Sequence, residues 1–299
     1  MDRLQAMKTF VTVVETGGFT AAARKLDVSL SVVSRVITEL EAHLGVRLLT
    51  RTTRLVRPTE AGTTYFENCR RLLAEIEEAE LSVTGTHAAP RGQLSVTASV
   101  LFGSRYVTPI VVEYLRRYPE VGVSCLLLDR VVNFVDEGID VGVRIGELPS
   151  SSLQAVPVGR VRRVVCASPD YLARHGVPRT PDDLAHHTLI QTTGISTLPE
   201  WRFHHNDQPV FTRIAPRMAT TTNDSAIAAA VAGFGVARVL SYQIAGELRD
   251  GRLQTLLADY EPAPLPIHVI HREGRHAVQK VRAFLDLAIE RLRADKTIN

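Results

Sequence analysis

The chain has 299 residues, 45% of them hydrophobic and 22% charged, so it is long enough for three compact units with buried cores. No apolar run of signal-peptide type opens the sequence, and no stretch approaches about 18 uninterrupted apolar residues. These features disfavour a secreted or membrane protein and predict a cytoplasmic one.

The positive charge is concentrated at one end of the chain. The first 62 residues hold nine Lys and Arg against six Asp and Glu, which gives the whole formal charge of +3. The other 237 residues carry 26 charges of each sign. A basic segment at one end of an otherwise neutral protein is typical of a nucleic-acid-binding module.

The first predicted elements are two short helices. An amphipathic helix over 4–15 ends at the Gly17–Gly18 pair. Thr20 is placed to cap a second helix over 21–26. A tight turn at 27–29 then leads to a third helix, so the spacing predicts a helix-turn-helix.

The third helix is predicted over 30–44, with Gly45 as its stop. Its apolar residues are spaced 4, 3 and 4 and form one buried stripe: Val33, Ile37, Leu40 and Leu44. The opposite face carries small and hydrogen-bonding side chains and one arginine: Ser31, Arg35, Thr38 and Ala42. Such a face suits a helix in the major groove of DNA. The alternative is an ordinary surface helix of a small bundle.

The segment 46–58 favours the DNA-binding interpretation. It is predicted to form a short β-hairpin wing, and no acidic residue occurs between Glu41 and Glu60. It contains four arginines: Arg47, Arg51, Arg54 and Arg57. Arginines without a counter-charge are better explained by phosphate contacts than by a solvated protein face.

A long helix is predicted over 59–84, with Thr59 after Pro58 as its start. Six residues with 4, 3, 4, 3 and 4 spacing give it the alternation of a coiled-coil seam: Tyr65, Cys69, Leu72, Ile76, Ala79 and Val83. We interpret this helix, roughly 40 Å long, as a linker that pairs with its counterpart in a second subunit. The alternative is that it packs on the C-terminal part of its own chain.

From Arg91 onward, short apolar strands alternate with helices, a pattern typical of parallel sheets with crossover helices. The first set comprises strands over 94–98, 121–128 and 140–145 and helices over 105–118 and 131–137. A second set covers 164–262 with an alanine-rich helix over 225–232, and a strand over 267–271 and a helix over 277–293 follow. The predicted fold is therefore multi-domain α/β, with two C-terminal lobes and a cleft suited to a small molecule.

Several segments together resemble the LysR-type transcriptional regulators, a bacterial family: 10–18 (FVTVVETGG), 19–26 (FTAAARKL), 33–35 (VSR), 40–41 with 44–45, and 51–62 (RTTRLVRPTEAG). The resemblance covers the whole chain, except that Leu30 stands where family members usually carry Pro or a polar residue such as Gln. It implies a winged helix-turn-helix at 1–58, a linker and dimerisation helix at 59–88, and an effector-binding domain at 89–299 that resembles periplasmic binding proteins. Lobe 1 of this domain would comprise about 91–163 and 266–299, and lobe 2 about 164–265.

The resemblance also implies contacts and partners. Double-stranded DNA, a small-molecule effector and further copies of the chain in a dimer or tetramer are the expected partners, with RNA polymerase as a further candidate and no membrane. The candidate DNA-binding residues are Thr20, Ser29, Ser31, Ser34, Arg35, Thr38, Arg51, Arg54 and Arg57.

The candidate effector residues lie after the first strand of lobe 1 and at the start of the alanine-rich helix. Free backbone N–H groups at helix N-termini favour an anionic group such as a carboxylate. The set is Ser99, Val100, Leu101, Phe102, Arg144, Thr193, Thr222 and Asn223. For each of them the alternative is an ordinary cap or turn residue.

Other chemistries have weaker support. Cys69, Cys125 and Cys166 form no C-x-x-C pair and are expected to be buried thiols, with redox sensing by Cys125 and Cys166 as the alternative. The histidines match no metal-site spacing, and no catalytic or nucleotide-binding motif is complete. The sequence thus predicts no metal, no cofactor and no enzymatic activity. A solute-binding protein without a DNA role is the remaining alternative.

Overall fold

A computed structural model describes residues 2–51, 56–83, 89–148, 153–193, 200–206, 208–272 and 278–298. The chain divides into two compact units, residues 1–88 and 89–299. The first unit contains the helix-turn-helix segment together with the long helix, and the second contains two α/β sheets.

The first unit has four helices and one hairpin among its described residues: α1 Arg3–Thr16, α2 Phe19–Lys25, α3 Leu30–Leu44, β1 Leu49–Arg51, β2 Val56–Pro58 and α4 Glu60–Val83. β1 and β2 pair antiparallel, with Thr50 opposite Arg57. The predicted helix-turn-helix, wing and long helix are therefore confirmed.

Helix boundaries in this unit follow from capping. The Ser29 hydroxyl accepts a hydrogen bond from the Val32 N–H at the start of α3, and Gly45 ends that helix in the left-handed region. The predicted cap at Thr20 is wrong, because Gly18 is the N-cap residue of α2 and Thr20 lies in the first turn. The helix begins early because Phe19 packs against the core of the unit.

The core of the first unit forms where α1, α2 and α3 meet. Phe10, Val33 and Ile37 are fully buried there, and Leu40 is almost so. Leu44 does not continue the predicted stripe, since it is 39% exposed. It is the last residue of α3, directly before Gly45, and so lies at the edge of the core.

The second unit begins with lobe 1. Its described strands and helices are β3 Gly92–Ala98, α5 Val100–Phe102, α6 Thr108–Arg117, β4 Val121–Leu127, β5 Val141–Ile145 and β6 Gln154–Val161, completed from the C-terminal end by β14 Leu265–His271 and α10 Gln279–Ala294. The sheet order is β4-β3-β5-β14-β6. β3 is parallel to β4 and β5, whereas β14 is antiparallel to β5 and β6. The sheet is therefore mixed. The predicted parallel arrangement holds for β3, β4 and β5 but not for β14 and β6.

Two predicted helices of lobe 1 need correction. The helix expected over 105–118 begins at Val100 and passes through a π-helical stretch, Gly103–Val107, before α6. The helix expected over 131–137 is a set of turns. The Asn133 side chain accepts hydrogen bonds from the Val135 and Asp136 N–H groups, which favours turns over a helix.

Lobe 2 lies between the two passes of the chain through lobe 1. Its described elements are β7 Arg163–Ala167, α7 Pro169–His175, β8 Leu189–Thr192, β9 Glu200–His205, β10 Gln208–Arg213, β11 Met218–Thr220, α8 Asn223–Val231, β12 Val236–Leu240, α9 Ala245–Arg249 and β13 Gln254–Leu256. The main sheet has the order β11-β8-β12-β7-β13, and β9 and β10 form a separate hairpin. The chain enters lobe 2 at Arg162 and returns through 262–264, so the predicted two-lobed α/β architecture is confirmed.

Candidate functional site

Helix α3 presents one continuous polar face to solvent. Four of its residues on this face are exposed, as the sequence predicts: Ser31, Arg35, Thr38 and Ala42. Ser29, the N-cap residue, is also exposed and its hydroxyl lies 2.9 Å from that of Ser31. Ser34 is partly buried, and its carbonyl accepts a hydrogen bond from the Thr38 hydroxyl. The N-terminal half of the helix thus offers hydroxyls and a guanidinium to a ligand.

Arg35 is free to make new contacts. Its side chain is 71% exposed, and its one ion pair in the described chain is a loose one, with 3.9 Å between Nε and the Glu39 carboxylate. An exposed pair of this kind contributes little to stability. A phosphate or a guanine edge can therefore replace Glu39 at little cost.

The wing lies beside α3. Arg57 in β2 and Arg47 before β1 are exposed, and Thr20 is exposed in the first turn of α2. Arg51 occupies the end of β1, whereas Arg54 lies outside the described residues. Arg47 is an exposed cation absent from the candidate set, although its place in the arginine-rich segment is visible in the sequence.

Glu41 fixes the wing to α3. Its Oε1 atom accepts hydrogen bonds from the backbone N–H groups of Leu48 (2.8 Å) and Leu49 (3.0 Å). Both leucines are buried, so these N–H groups have no access to bulk water. A single carboxylate thereby sets the direction in which β1 leaves the helix.

In the second unit, the candidate segment after β3 begins a short helix, α5, and its first N–H group is bonded within the chain. The Val100 N–H donates to the carboxylate of Asp129 (3.1 Å). Phe102 is fully buried and stacks on Tyr106, while Leu101 packs against the cores of both lobes. These side chains position the segment that begins at Ser99.

Arg144 lies near the same edge of lobe 1. Its guanidinium donates to the Thr97 hydroxyl (3.0 Å) and the Val143 carbonyl (3.2 Å). Burial lowers the pKa of Arg144, while the negative charges of Asp129 and Glu137 act in the opposite direction. The Arg144 guanidinium is thus already hydrogen-bonded within lobe 1.

The start of α8 in lobe 2 is satisfied in a similar way. The Ser225 N–H donates to the Asp224 carboxylate (3.0 Å), and the Thr222 hydroxyl donates to that of Ser225 (3.0 Å). A hydrogen bond from Thr222 lowers the pKa of Asp224, which keeps this carboxylate charged. The Thr193 N–H donates to the Thr220 carbonyl (2.8 Å). The Val100 and Ser225 N–H groups are therefore already hydrogen-bonded within the chain, and effector binding by the candidate residues stays a prediction.

A cavity of about 690 Å³ lies in this unit, lined mainly by β8, β9, β12 and the returning segment 262–265. Its volume suits a small molecule. Of the eight candidate effector residues, Asn223 alone lines it. The lining residues that were not predicted include Arg163, Trp201 and Arg238. Arginines inside the otherwise apolar strands RVVCA and VARVL were the sequence signal for them.

Two protein families match the chain. The bacterial regulatory helix-turn-helix protein, lysR family, matches residues 4–63, and the LysR substrate binding domain matches residues 87–293. The chain belongs to the LysR family of transcriptional regulators. The enzyme and solute-binding alternatives find no support in this assignment.

Relatives in the LysR family align over nearly the full length. An HTH-type transcriptional repressor of Pseudomonas aeruginosa is 35% identical, and the match covers 97% of this chain and 92% of that protein. The transcriptional activator AaeR of Escherichia coli is 32% identical, over 96% of this chain and 93% of the activator. The solved structure of CrgA, a LysR-type regulator from Neisseria meningitidis, has a TM-score of 0.62 at 31% identity and covers 96% of this chain and 98% of CrgA.

The cysteines of this LysR-family chain differ in exposure. Cys69 and Cys166 are fully buried, as predicted, whereas Cys125 is exposed. Burial, together with the charge of Glu247, raises the pKa of the Cys166 thiol to about 12. Because the thiolate is the reactive form, Cys166 is poorly suited to redox sensing. No helix among the described residues is both long and apolar enough to cross a membrane.

Replacing Glu41 with alanine is expected to destabilise the first unit by about 1–3 kcal/mol, because the N–H groups of Leu48 and Leu49 would lose their acceptor. Thermal unfolding followed by circular dichroism measures this loss. Glu39→Ala, on the same helix but exposed and loosely paired, is the control and should change stability by less than about 0.5 kcal/mol. Equal effects of the two variants would contradict the proposed role of Glu41.

Proposed function

We propose that this LysR-family regulator reads its DNA site with the exposed face of α3 in the major groove and holds the flanking phosphates with the wing. The observation that supports the proposal most directly is that α3 has one buried apolar face and one exposed polar face. Its apolar residues Val33, Ile37 and Leu40 are buried, whereas its polar face from Ser31 to Ala42 is open to solvent. Hydroxyls and a guanidinium on such a face can bond to base edges.

We further propose that two chains pair through α4. Tyr65 and Cys69 pack within the first unit, where the Tyr65 ring lies 5.5 Å from that of Phe10. Further along the same seam, Leu72 and Ile76 remain 40% and 36% exposed. Two exposed aliphatic residues at a/d spacing are suited to a second copy of the helix. Pairing would place two copies of α3 on two related half-sites.

In this proposal, a small molecule between the lobes of the second unit controls the regulator. It would act by binding one arrangement of the subunits better than another, which shifts their populations. The protein would work in the cytoplasm, as a dimer or tetramer, with RNA polymerase as a further partner on DNA. The relatives include both a repressor and an activator.

Fluorescence anisotropy tests the DNA-binding function. The purified protein is titrated onto labelled DNA flanking its own coding region and onto a random duplex at the same salt concentration. We expect at least about a thousandfold preference for the flanking DNA, the lower end for specific regulators. If no preference is found there, a genome-wide binding screen decides, and the absence of any enriched site would refute sequence-specific binding.

The double variant Leu72→Glu with Ile76→Glu is expected to be monomeric, because like charges would face each other across the seam. Light scattering after size-exclusion chromatography measures the mass. Loss of the second half-site contact should weaken operator binding about 10²–10⁴-fold. Thr64→Glu with Asn68→Glu adds the same charge at exposed positions off the seam and should leave the dimer intact. A dimer in both variants would refute pairing through α4.

A further inference from the structure

Two arginines share one face of the lobe 2 sheet and line its cavity. In the antiparallel register of β7 and β12, Arg163 lies opposite Leu240 and Arg238 lies opposite Val165. The arginines are therefore diagonal neighbours with their Cα atoms roughly 7–8 Å apart. Both arginines line the 690 Å³ cavity. A planar anion between them could accept hydrogen bonds from both.

Neither arginine has a counter-charge in the described part of the chain. Glu147 and Glu200 also line the cavity, but both are exposed and neither forms an ion pair with Arg163 or Arg238. Burial lowers the pKa of Arg163, and burial together with the charge of Arg163 lowers the pKa of Arg238 to about 9. Two partly buried like charges without an anion destabilise each other.

Arg238 is held in place by its neighbours, but one of its N–H groups has no hydrogen-bond partner among the described residues. Its guanidinium lies over the rings of Trp201 (5.9 Å) and Phe203 (5.3 Å) and donates to the Arg202 carbonyl. Its buried Nε–H has no partner among the described residues, and neither does the buried Nδ1 of His204 on the adjacent hairpin strand. Buried donors without partners are costly, and an anion near this guanidinium would offset that cost through its charge.

The starts of α5 and α8 are less suited to an anion than the arginine pair. The N–H groups at the starts of α5 and α8 already donate to the carboxylates of Asp129 and Asp224. These negative charges would repel a second anion. The arginine pair and the exposed Arg202 form the electropositive part of this cavity, while Trp201 and Phe211 supply an aromatic wall beside them.

We propose that this cavity binds a small organic anion, with its carboxylate between Arg163 and Arg238 and its apolar body against Trp201 and Phe211. This inference deepens the effector function proposed above and rests on it. The anion neutralises the two guanidiniums, ties β7 and β12 to the β9–β10 hairpin and thereby stabilises one arrangement of lobe 2.

Trp201 makes the test direct, because it is the single tryptophan of the chain and is 5% exposed at the cavity. Acetate, benzoate and inorganic phosphate are titrated into the full-length protein at constant ionic strength while tryptophan fluorescence is recorded. Benzamide, the uncharged analogue of benzoate, is the ligand control. We expect a saturable change with benzoate, a weaker one with acetate or phosphate, and none with benzamide.

Variants of the two arginines test whether the fluorescence change arises from binding at the arginine pair. Arg163→Met should weaken benzoate binding by at least about tenfold, the loss expected for one charge-assisted hydrogen bond. It should also raise the melting temperature without anion, because a partly buried charge without a counter-charge is removed. Arg160→Met removes an exposed arginine three residues away and should change neither quantity. Arg238→Gln repeats the test from the other strand.

Three results would overturn the proposal: no saturable response to any of the three anions, an equal response to benzamide, or equal binding by Arg163→Met and wild type. A fall in melting temperature for Arg163→Met with unchanged benzoate affinity would likewise assign the arginine a purely structural role. DNA preference is measured separately on the same wild-type preparation. Its presence without anion binding would leave the regulator function intact and reject the anion site alone.

Discussion

Gly62→Ala is expected to abolish specific DNA binding and to destabilise the first unit by about 3 kcal/mol or more. A Cβ atom at this position would lie 1.9 Å from the Leu48 carbonyl oxygen and 2.9 Å from the carbonyl carbon. Both are backbone atoms, so no side-chain rotation can relieve the clash. Either α4 or the strand that follows Leu48 must move.

The Leu48 carbonyl cannot move freely. It accepts a hydrogen bond from the Thr59 N–H (2.9 Å), and the Thr59 hydroxyl in turn accepts one from the Gly62 N–H (3.0 Å) at the start of α4. Displacing it would break this cap and shift β1, which Glu41 ties to α3. The clash at Gly62 would therefore change the position of the wing relative to α3, and with it the proposed DNA-binding surface.

Hydrogen exchange measured by mass spectrometry checks this prediction for each unit. Exchange should accelerate over 2–51 and 56–73 in Gly62→Ala and stay unchanged over 89–148, because the second unit is a separate compact body. Thr64→Ala, an exposed substitution on the same helix, is the control. If Gly62→Ala kept wild-type protection from hydrogen exchange and wild-type operator affinity, the prediction would be wrong. Such a result would show that α4 moves away from Leu48 at little cost.

Local patterns explain how much of the first unit could be predicted. The spacing of Val33, Ile37 and Leu40 specifies which side of α3 is buried, and Gly45 specifies where the helix ends. The same spacing also predicted that Leu44 is buried, which is wrong, because spacing alone does not show where the core ends. The start of α2 was misplaced because Phe19 packs on the core, a tertiary contact that overrides a capping preference at Thr20.

The effector cleft could be predicted only in outline. The start of the alanine-rich helix was correctly located near Asn223, whereas Val100 was assigned to a loop and instead begins a helix whose first N–H group is bonded to a carboxylate. Asp129 reaches Val100 from 29 residues away, which no local pattern reveals. Arg163 and Arg238 are further apart still, and only the register of β7 and β12 brings them together. The order of strands in a sheet depends on the whole chain.

Arg35→Ala and Arg57→Ala are expected to weaken DNA binding in different ways. Arg35 lies on the exposed face of α3, so its loss should reduce the preference for the operator over a random duplex by about 1–3 kcal/mol. Arg57 lies in the wing, so its loss should weaken binding to both duplexes equally and reduce the salt-dependence slope by about 1. Both side chains are exposed, so stability should change little.

Anisotropy titrations on both duplexes at several salt concentrations separate the two effects. Arg249→Ala, which removes an exposed arginine from the second unit, is the control for the change in net charge and should leave both affinities unchanged. A base contact carries sequence information and a phosphate contact does not, so the two arginines must differ in preference and not only in affinity. Parallel losses on operator and random DNA in both variants would mean that α3 contributes charge alone, and the base-reading role of Arg35 would be refuted.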